Sequence, residues 1–381
     1  MSWEETNPMK ERQRLIADYQ SGMFTVTELA TRYHVSRKTV YKWMDRYASD
    51  GEAGLQEHSR APLNSPRRTD QSITQRLLAF RQAHPNWGPR TIGAYLRQHE
   101  PDVAWPAPST IGALFDREGL SQKRPKRNHY PQANRIAPEV TAANQLWCCD
   151  FKGAFRLGNQ QYCHPLTITD EYSRMLLCAA AQVSIQYEPT RASFERIFAR
   201  YGLPEAIRSD NGAPFSGRGP CGISRLSLWW LKLGITHVLS RPGCPQDNAR
   251  HERMHRRMKA DTTRPPAEDF PGQQQKFDAF DHELNYERPH QGIDFQTPSE
   301  LYHPSERHLP AVLPPPEYPG HYETRSVAID GTMNFQGQQI FLSEVLGRER
   351  VALEEIDDGL WNVYIYSVLL GRVNNTHWRL H

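Results

Sequence analysis

Two aspartates close apolar, strand-like runs, Asp150 in LWCCDFKGAF and Asp210 in IRSDNGAPF, and this placement constrains the fold more than any other feature. A carboxylate set beside buried strands is costly unless something neutralises it. An α/β sheet whose strand ends open into one polar pocket accommodates both. A third acid, Glu252, sits in PQDNARHERMHRRMK, a basic stretch of helical character. Three carboxylates converging from separate elements make an oxygen-rich pocket for hard divalent cations such as Mg²⁺ or Mn²⁺. Two such ions about 3.5–4 Å apart activate an attacking oxygen and stabilise a leaving one at a phosphodiester. The pattern points to a metal-dependent nucleic-acid enzyme.

The segments around these acids predict a mixed sheet flanked by helices. LWCCDFKGAFRL, QYCHPLTITDEYSR and MLLCAAAQV are consecutive β-like runs, with turn residues at Gly158–Asn159 and Ser173–Arg174. A helix follows in PTRASFERIFARYG, ending at Gly202, then a strand in EAIRSD and a helix in SRLSLWWLKLG. A strand in THVLSRP and a helix in QDNARHERMHRRMKAD complete the alternation. A helix near 276–286 and the TPSE capping box at 297–300 close a domain over residues 141–303.

Ahead of it, residues 1–56 predict a helix-turn-helix unit. In TVTELATRYHVSRKTVYKWMDRY the apolar or small residues Val26, Leu29, Ala30, Val35, Val40 and Trp43 suit two helices packed across a tight turn, with Ser36 as N-cap of the second. That helix would offer Arg37, Lys38, Thr39, Tyr41, Lys42 and Arg46 to phosphates and base edges in a major groove. His34 is a departure, because the turn usually carries Gly there. The plain alternative is a small helical bundle. After a polar linker (57–69), residues 70–121 predict a second, winged-type helix-turn-helix, with Ile73, Leu77, Leu78 and Phe80 on an apolar face and Ser109 as a cap. Three amphipathic helices would equally serve as a dimerisation or spacer module. A basic linker (122–140) contributes Lys123, Arg124, Lys126 and Arg127. Behind the central domain, a Pro-rich linker (304–321) precedes short apolar strands over 322–381, which predict a small SH3-like β-barrel. The whole reads as a multidomain α/β protein.

The net charge of +3 is mild but uneven. Residues 1–140 hold 21 Lys/Arg against 15 Asp/Glu, and SQKRPKRNHYPQANR (121–135) holds five bases and no acid. Local basic stripes of this kind matter more for polyanion binding than the sum, although any one of them would also fit a solvated face. The six cysteines show no CxxC spacing and read as small buried hydrophobes in a reducing compartment. The N-terminus is polar, and no apolar run approaches the roughly 18 residues that span a bilayer, so a cytoplasmic, nucleoid-associated location is expected.

With these residues in view, the chain resembles bacterial insertion-sequence transposases with a retroviral-integrase-type, RNase H-like catalytic core. The resemblance extends over essentially the full length and is carried by WCCDFKG, LTITDEYSR, SDNGAPF and SRPGCPQDNARHER, with NWGPRTIGAYL and LNYERPHQGIDFQTPSELY beside them. Together these are highly specific; each alone is weak. The resemblance implies that Asp150, Asp210 and Glu252 are the catalytic, metal-binding triad, holding two Mg²⁺ or Mn²⁺ ions. It implies double-stranded DNA as partner, both terminal repeats and target, and a homodimer or tetramer when two ends are paired. A water would first cut at the transposon end and free a 3′-OH, which would then attack target DNA. Arg253, Arg256, Arg257 and Lys259 would track phosphates along the Glu252 helix. Two departures stand out. The stretch between Asp210 and Glu252 is several residues longer than usual, through FSGRGPCGIS, with consequences for how that loop meets DNA. The His/Cys zinc domain of retroviral integrases is missing, so no zinc is implied.

Competing readings attach to some of these residues. Asp170 would turn a hairpin or pair with Arg174, Asp247 would cap a helix, and Cys148 and Cys149 would pack. His251–Glu252–Arg253–Met254–His255 spells the zincin motif HExxH, in which both His bind zinc. No third ligand follows at a recognised spacing, and the flanks are basic. Two other functions remain open: a catalytically silent DNA-binding regulator of transposase descent, and a stand-alone RNase H-like nuclease.

Overall fold

A computed structural model describes residues 7–57, 69–121, 140–217, 219–240 and 249–381. The chain divides into two compact units, residues 1–69 and 70–381. In the first, helices α1 (Pro8–Gln20), α2 (Val26–Arg32) and α3 (Arg37–Asp50) surround Leu15, Ile16, Leu29, Val40, Trp43 and Leu55. Thr25 and Glu28 form a capping box on α2, and the Ser36 hydroxyl accepts from the Thr39 N–H to cap α3. His34 holds φ +51°, the left-handed conformation that explains why glycine usually occupies this turn.

The second unit begins with α4 (Gln71–Ala83), α5 (Pro89–His99) and α6 (Pro108–Arg117), packed around Leu77, Trp87, Ile92, Trp105, Ile111 and Phe115. Among the described residues of this region no strand is present, and the three helices share one core. Ser109 does not cap α6. Pro108 fixes the first helical turn and moves the N-cap back to Ala107.

The central sheet contains β1 (Leu146–Phe151), β2 (Phe155–Arg156), β3 (Tyr162–Asp170), β4 (Leu176–Gln182), β5 (Ala206–Ser209) and β6 (Thr236–Leu239). β3 pairs antiparallel with β1, β2 and β4, while β1, β5 and β6 run parallel. The first predicted run is broken at Lys152–Ala154, and β1 and β2 meet successive parts of β3. Helices α7 (Tyr187–Tyr201) and α8 (Arg225–Lys232) cover one face around Trp147, Phe194, Phe198, Phe215 and Trp230. Burying one such side chain contributes about 1.5–3 kcal/mol. Helices α9 (Ala249–Thr262) and α10 (Phe270–His282) cover the other face around Leu157, Cys163, Leu176, Met258, Phe277 and Phe280. A short helix α11 (Pro298–Leu301) starts at the Thr297–Glu300 capping box.

The segment after α11 is bound to the central domain rather than free. Arg307 donates to the carbonyls of Pro204, Leu233 and Gly234. Gly202, at φ +76°, admits that segment, because a Cβ there would stand 2.4 Å from the Ser305 carbonyl oxygen. The tail forms β7 (Glu323–Ser326), β8 (Thr332–Phe335), β9 (Gln338–Phe341), β10 (Arg350–Asp357), β11 (Leu360–Ile365) and β12 (Val368–Asn374). Their ladders make a four-stranded antiparallel sheet, β12-β11-β10-β7, and a β8–β9 hairpin on one shared core. The two sheets are bridged at Val327–Met333, and no closed barrel is found among these strands.

Candidate active site

Strand alternation decides where Asp150 points. On β1, Trp147 and Cys149 enter the core under α7 and α8, so Cys148 and Asp150 face the opposite side. On β3, Leu166 and Ile168 enter that same core, which leaves Thr167 and Thr169 facing α9. Asp150 stands directly opposite Thr167 in the register, and Cys148 opposite Thr169.

Helix α9 carries two stripes at helical spacing. His251, His255, Met258 and Thr262 are buried, whereas Glu252, Arg253, Arg256 and Lys259 are exposed. Glu252 therefore reaches solvent, while both histidines are driven against the strands. Arg250, at the start of α9, pairs with Glu171 at 2.8 Å and fixes the helix to the β3–β4 turn.

Asp150 has 23% of its side chain exposed. Burial pushes its carboxyl up to about 7, and Asp210 adds to the rise; Lys152 opposes it, and Glu252 also raises it. Asp210 and Glu252 are thus both close enough to raise the Asp150 carboxyl. The three acids are not gathered as tightly as Asp150, His251 and His255, whose ligand-type atoms lie within 4.8 Å of one another.

The two histidines are held by threonine hydroxyls. Thr169 Oγ1 lies 2.8 Å from His251 Nδ1, and Thr167 Oγ1 lies 2.8 Å from His251 Nε2. Thr167 Oγ1 also touches His255 Nε2, and His255 Nδ1 stands 3.5 Å from Asp150 Oδ2. Burial holds His251 down to about 3 and His255 down to about 2, so both are neutral and the Asp150 contact is not an ion pair. Three of the four ring nitrogens are engaged by hydroxyls, and Glu252 points away from them, an arrangement unlike a zincin site. Thr167 and Thr169 were absent from the sequence reading. Their signal was a Thr-x-Thr alternation in LTITD, polar on the face where α9 packs.

Asp210 follows β5 and is exposed. The Gly212 N–H donates to its Oδ1 at 3.1 Å, and a Cβ at Gly212 would crowd Oδ2 at 3.2 Å. Asn211 reaches the Ser240 carbonyl beyond β6 at 3.1 Å. The inserted FSGRGPCGIS stretch packs on the tail. The Cys221 thiol lies 3.0 Å from the Leu369 carbonyl oxygen, and Ile223 and Leu228 enter the tail core.

The remaining candidates fall out as follows. Asp170 is buried and turns the hairpin, accepting from Asn144 N at 2.8 Å, Ser173 N at 2.8 Å and Ser173 Oγ at 2.7 Å. Arg174 pairs with Glu171 instead. Cys148 and Cys149 are packed in the sheet. Arg257 is drawn into Asp261 and Glu283 and is not among the outward cations. Lys123, Arg124, Lys126, Arg127 and Asp247 lie outside the described residues. In the first unit Arg37, Lys38, Tyr41 and Lys42 are exposed on α3, whereas Thr39 and Arg46 are half-buried.

Comparison with known proteins adds independent findings. Residues 140–245 and 233–298 match integrase core domain families, 11–62 a helix-turn-helix domain, 39–115 a homeodomain-like domain, and 322–377 the C-terminal domain of IS481 family transposases. An uncharacterised protein of insertion element IS476 from Xanthomonas euvesicatoria is 26% identical over 200 residues, which is 52% of this chain and 54% of that protein. One from insertion element IS407 of Burkholderia multivorans is 24% identical over 200 residues, 50% of this chain and 67% of that protein. The chain thus spans about half the length of the first relative. A chain in the simian T-cell lymphotropic virus intasome structure aligns at 14% identity over 79% of this chain and 96% of its own, with a TM-score of 0.38. Among the described residues no helix is long and apolar enough to cross a membrane.

Proposed function

We propose that this chain, an insertion-sequence transposase with an integrase-type core, cuts DNA at the ends of its element and joins the freed 3′-OH to target DNA. What supports this reading is that Asp150 and Asp210 stand near the ends of the adjacent parallel strands β1 and β5, with Asp150 pushed up to about 7 by burial and further by Asp210 and Glu252. A raised carboxyl such as Asp150, with other acids adding to the rise, fits hard cations, because a positive charge there removes the repulsion. Asp150, Asp210 and Glu252 would hold two Mg²⁺ or Mn²⁺ ions. When bound, such ions activate an attacking oxygen and stabilise a leaving one.

The rest of the work falls to the chain's own residues. Arg253, Arg256 and Lys259 continue the outward stripe of α9 and suit a phosphate backbone running past Glu252. The helix-turn-helix unit (1–56), through Arg37, Lys38, Thr39, Tyr41 and Lys42, would select the element's ends, while Arg46 braces Trp43. The units at 70–121 and 322–381 would flank the core (141–303), and pairing two ends would bring chains together as a dimer or tetramer.

The test is cleavage and joining of supercoiled plasmid carrying the element's ends, in Mg²⁺ and Mn²⁺. Metal-dependent joined product, lost in Glu252→Gln with DNA binding kept, is expected. Equal products from both proteins would overturn the triad, cut DNA alone would favour a nuclease, and binding without any product would favour a silent regulator.

A further inference from the structure

The hydroxyl of Thr167 has one hydrogen and three neighbours that could take it: His251 Nε2, His255 Nε2 and, at 3.2 Å, the Asp150 carbonyl oxygen. The rings of His251 and His255 have centroids 4.5 Å apart in a buried site, where adjacent positive charges would repel, so each carries a single N–H. If Thr167 donates to His251 or to the carbonyl, His255 must donate from Nε2 to the Thr167 oxygen. Its Nδ1 then presents a bare lone pair 3.5 Å from the Asp150 carboxylate oxygen, and the two repel whenever that carboxyl is ionised. If Thr167 donates to His255, the ring contacts run in one direction and only the approach to the Asp150 carbonyl goes without a hydrogen. Thr169 donates to His251 Nδ1, His251 Nε2–H to Thr167 and Thr167 to His255 Nε2, so that His255 Nδ1–H faces Asp150 Oδ2 at 3.5 Å.

We infer that His255, held by the Thr169–His251–Thr167 chain, is a positioning residue that orients the Asp150 carboxylate through its Oδ2. The role given to Asp150 rests on the function proposed above, but the hydrogen-bond chain does not. One turn of α9 therefore performs two tasks. Glu252 faces outward, while His251 and His255, one residue before and three after it, lock the helix to β3 and β1. The HExxH spelling is the imprint of that packing: i, i+4 spacing puts both rings on the strand-facing side. The same spacing would serve zinc binding, but here the Thr hydroxyls take the nitrogens. Supporting partners of this kind commonly set metal affinity as strongly as the ligands they orient.

Two measurements test the inference, and the first needs no metal and no activity. Imidazole ¹⁵N spectra of the metal-free full chain are expected to show His255 as the Nδ1–H tautomer and His251 as the Nε2–H tautomer. An Nε2–H tautomer at His255 would overturn the assignment. In the second, Mn²⁺ binding is followed by electron paramagnetic resonance in the wild type, His255→Asn, whose amide replaces the Nδ1–H donor, and His255→Leu, which removes it. With folding checked by melting, affinity is expected to fall roughly 10–100-fold in the Leu variant and to stay within about threefold in the Asn variant. Wild-type affinity in the Leu variant would show that the link does nothing. Loss of the His255 Nδ1 proton on adding metal to the wild type would make His255 a ligand and not a positioning residue. A wild type that binds no Mn²⁺ would sink the proposed function while leaving the tautomer result standing.

Discussion

The indole N–H of Trp87 donates to Glu283 Oε1 at 2.5 Å, across 196 residues of sequence. The same oxygen takes the guanidinium of Arg257 on α9, which also meets Asp261 at 3.2 Å. Asn86, next to Trp87, donates to Asp261. The α4–α5 turn is thus fastened to the helix that carries Glu252, through a carboxylate just after α10.

Removing the indole donor tests that fastening. Trp87 is buried, so Trp87→Phe keeps an aromatic ring in the core but leaves Glu283 one donor short. A loss of about 1–3 kcal/mol is expected in urea unfolding, the cost of an unmet buried partner plus the smaller ring. Unchanged stability would mean that Arg257 alone holds Glu283.

The seam between α8 and the tail is apolar and should behave as core. Leu228 is 5% exposed and packs with Val327, Phe335 and Val363, while Lys232 pairs with Glu349 at its edge. Leu228→Ala is expected to cost about 2–5 kcal/mol and to destabilise tail and central domain together, in one cooperative transition. A separate early transition of the tail would show that the seam contributes little. Lys232→Ala, on the partly exposed rim, should cost at most about 1 kcal/mol.

Burial pushes Asp281 up to about 7, with Asp278 adding to the rise, Arg200 opposing it and the Asn285 amide also lowering it. A carboxyl raised in the folded state binds its proton more tightly there than when unfolded. Its contribution is therefore fully present below the unfolded value near 4 and is lost as pH rises to about 7. Asp281→Asn keeps an acceptor for Asn285 without the charge. The variant should gain on the order of 2 kcal/mol over wild type at pH 8 and nothing at pH 4, read by denaturant titration at both. An equal effect at the two pH values would place the cause in packing.

Much of this was legible in the chain, for identifiable reasons. Asp150 and Asp210 could be placed because apolar runs ended on them, and the α2–α3 turn because Ser36 and Val40 follow local capping and packing rules. Glu252 was proposed from its motif, but the orientation of its helix was not legible. His251 and His255 at i, i+4 fit a metal site and a buried face equally well, and only Thr167 and Thr169 across the sheet decide between them. A wing is not legible here, because three amphipathic helices do not announce whether strands follow. The docking of Ile223 and Leu228 on the tail joins segments about a hundred residues apart, and no local pattern encodes such a contact. Arg257 looked like its neighbours Arg256 and Lys259 until Glu283 and Asp261 were seen beside it.

The helix-turn-helix unit offers a test in which neighbouring cations should behave differently. Trp43 is 5% exposed, and three cations lie over its ring: Arg12 at 3.9 Å, Lys42 at 4.3 Å and Arg46 at 5.1 Å from the centroid. Arg46 is half-buried and reaches the Gln56 carbonyl at 3.5 Å, so its guanidinium serves the fold of this unit. Arg37 and Lys38 open α3 and are exposed. On binding to double-stranded DNA, each of Arg37→Ala and Lys38→Ala should weaken affinity and lower the slope of log affinity against log salt by about 1, since each would give up one phosphate contact. Arg46→Ala should instead lower the melting temperature and leave the salt slope nearly unchanged, because a cation held on an indole contributes about 0.5–2 kcal/mol to the fold. Titrations at several salt concentrations, paired with melting curves, separate the two effects. A full unit of slope lost in Arg46→Ala, with stability intact, would show that this side chain leaves Trp43 to meet the DNA.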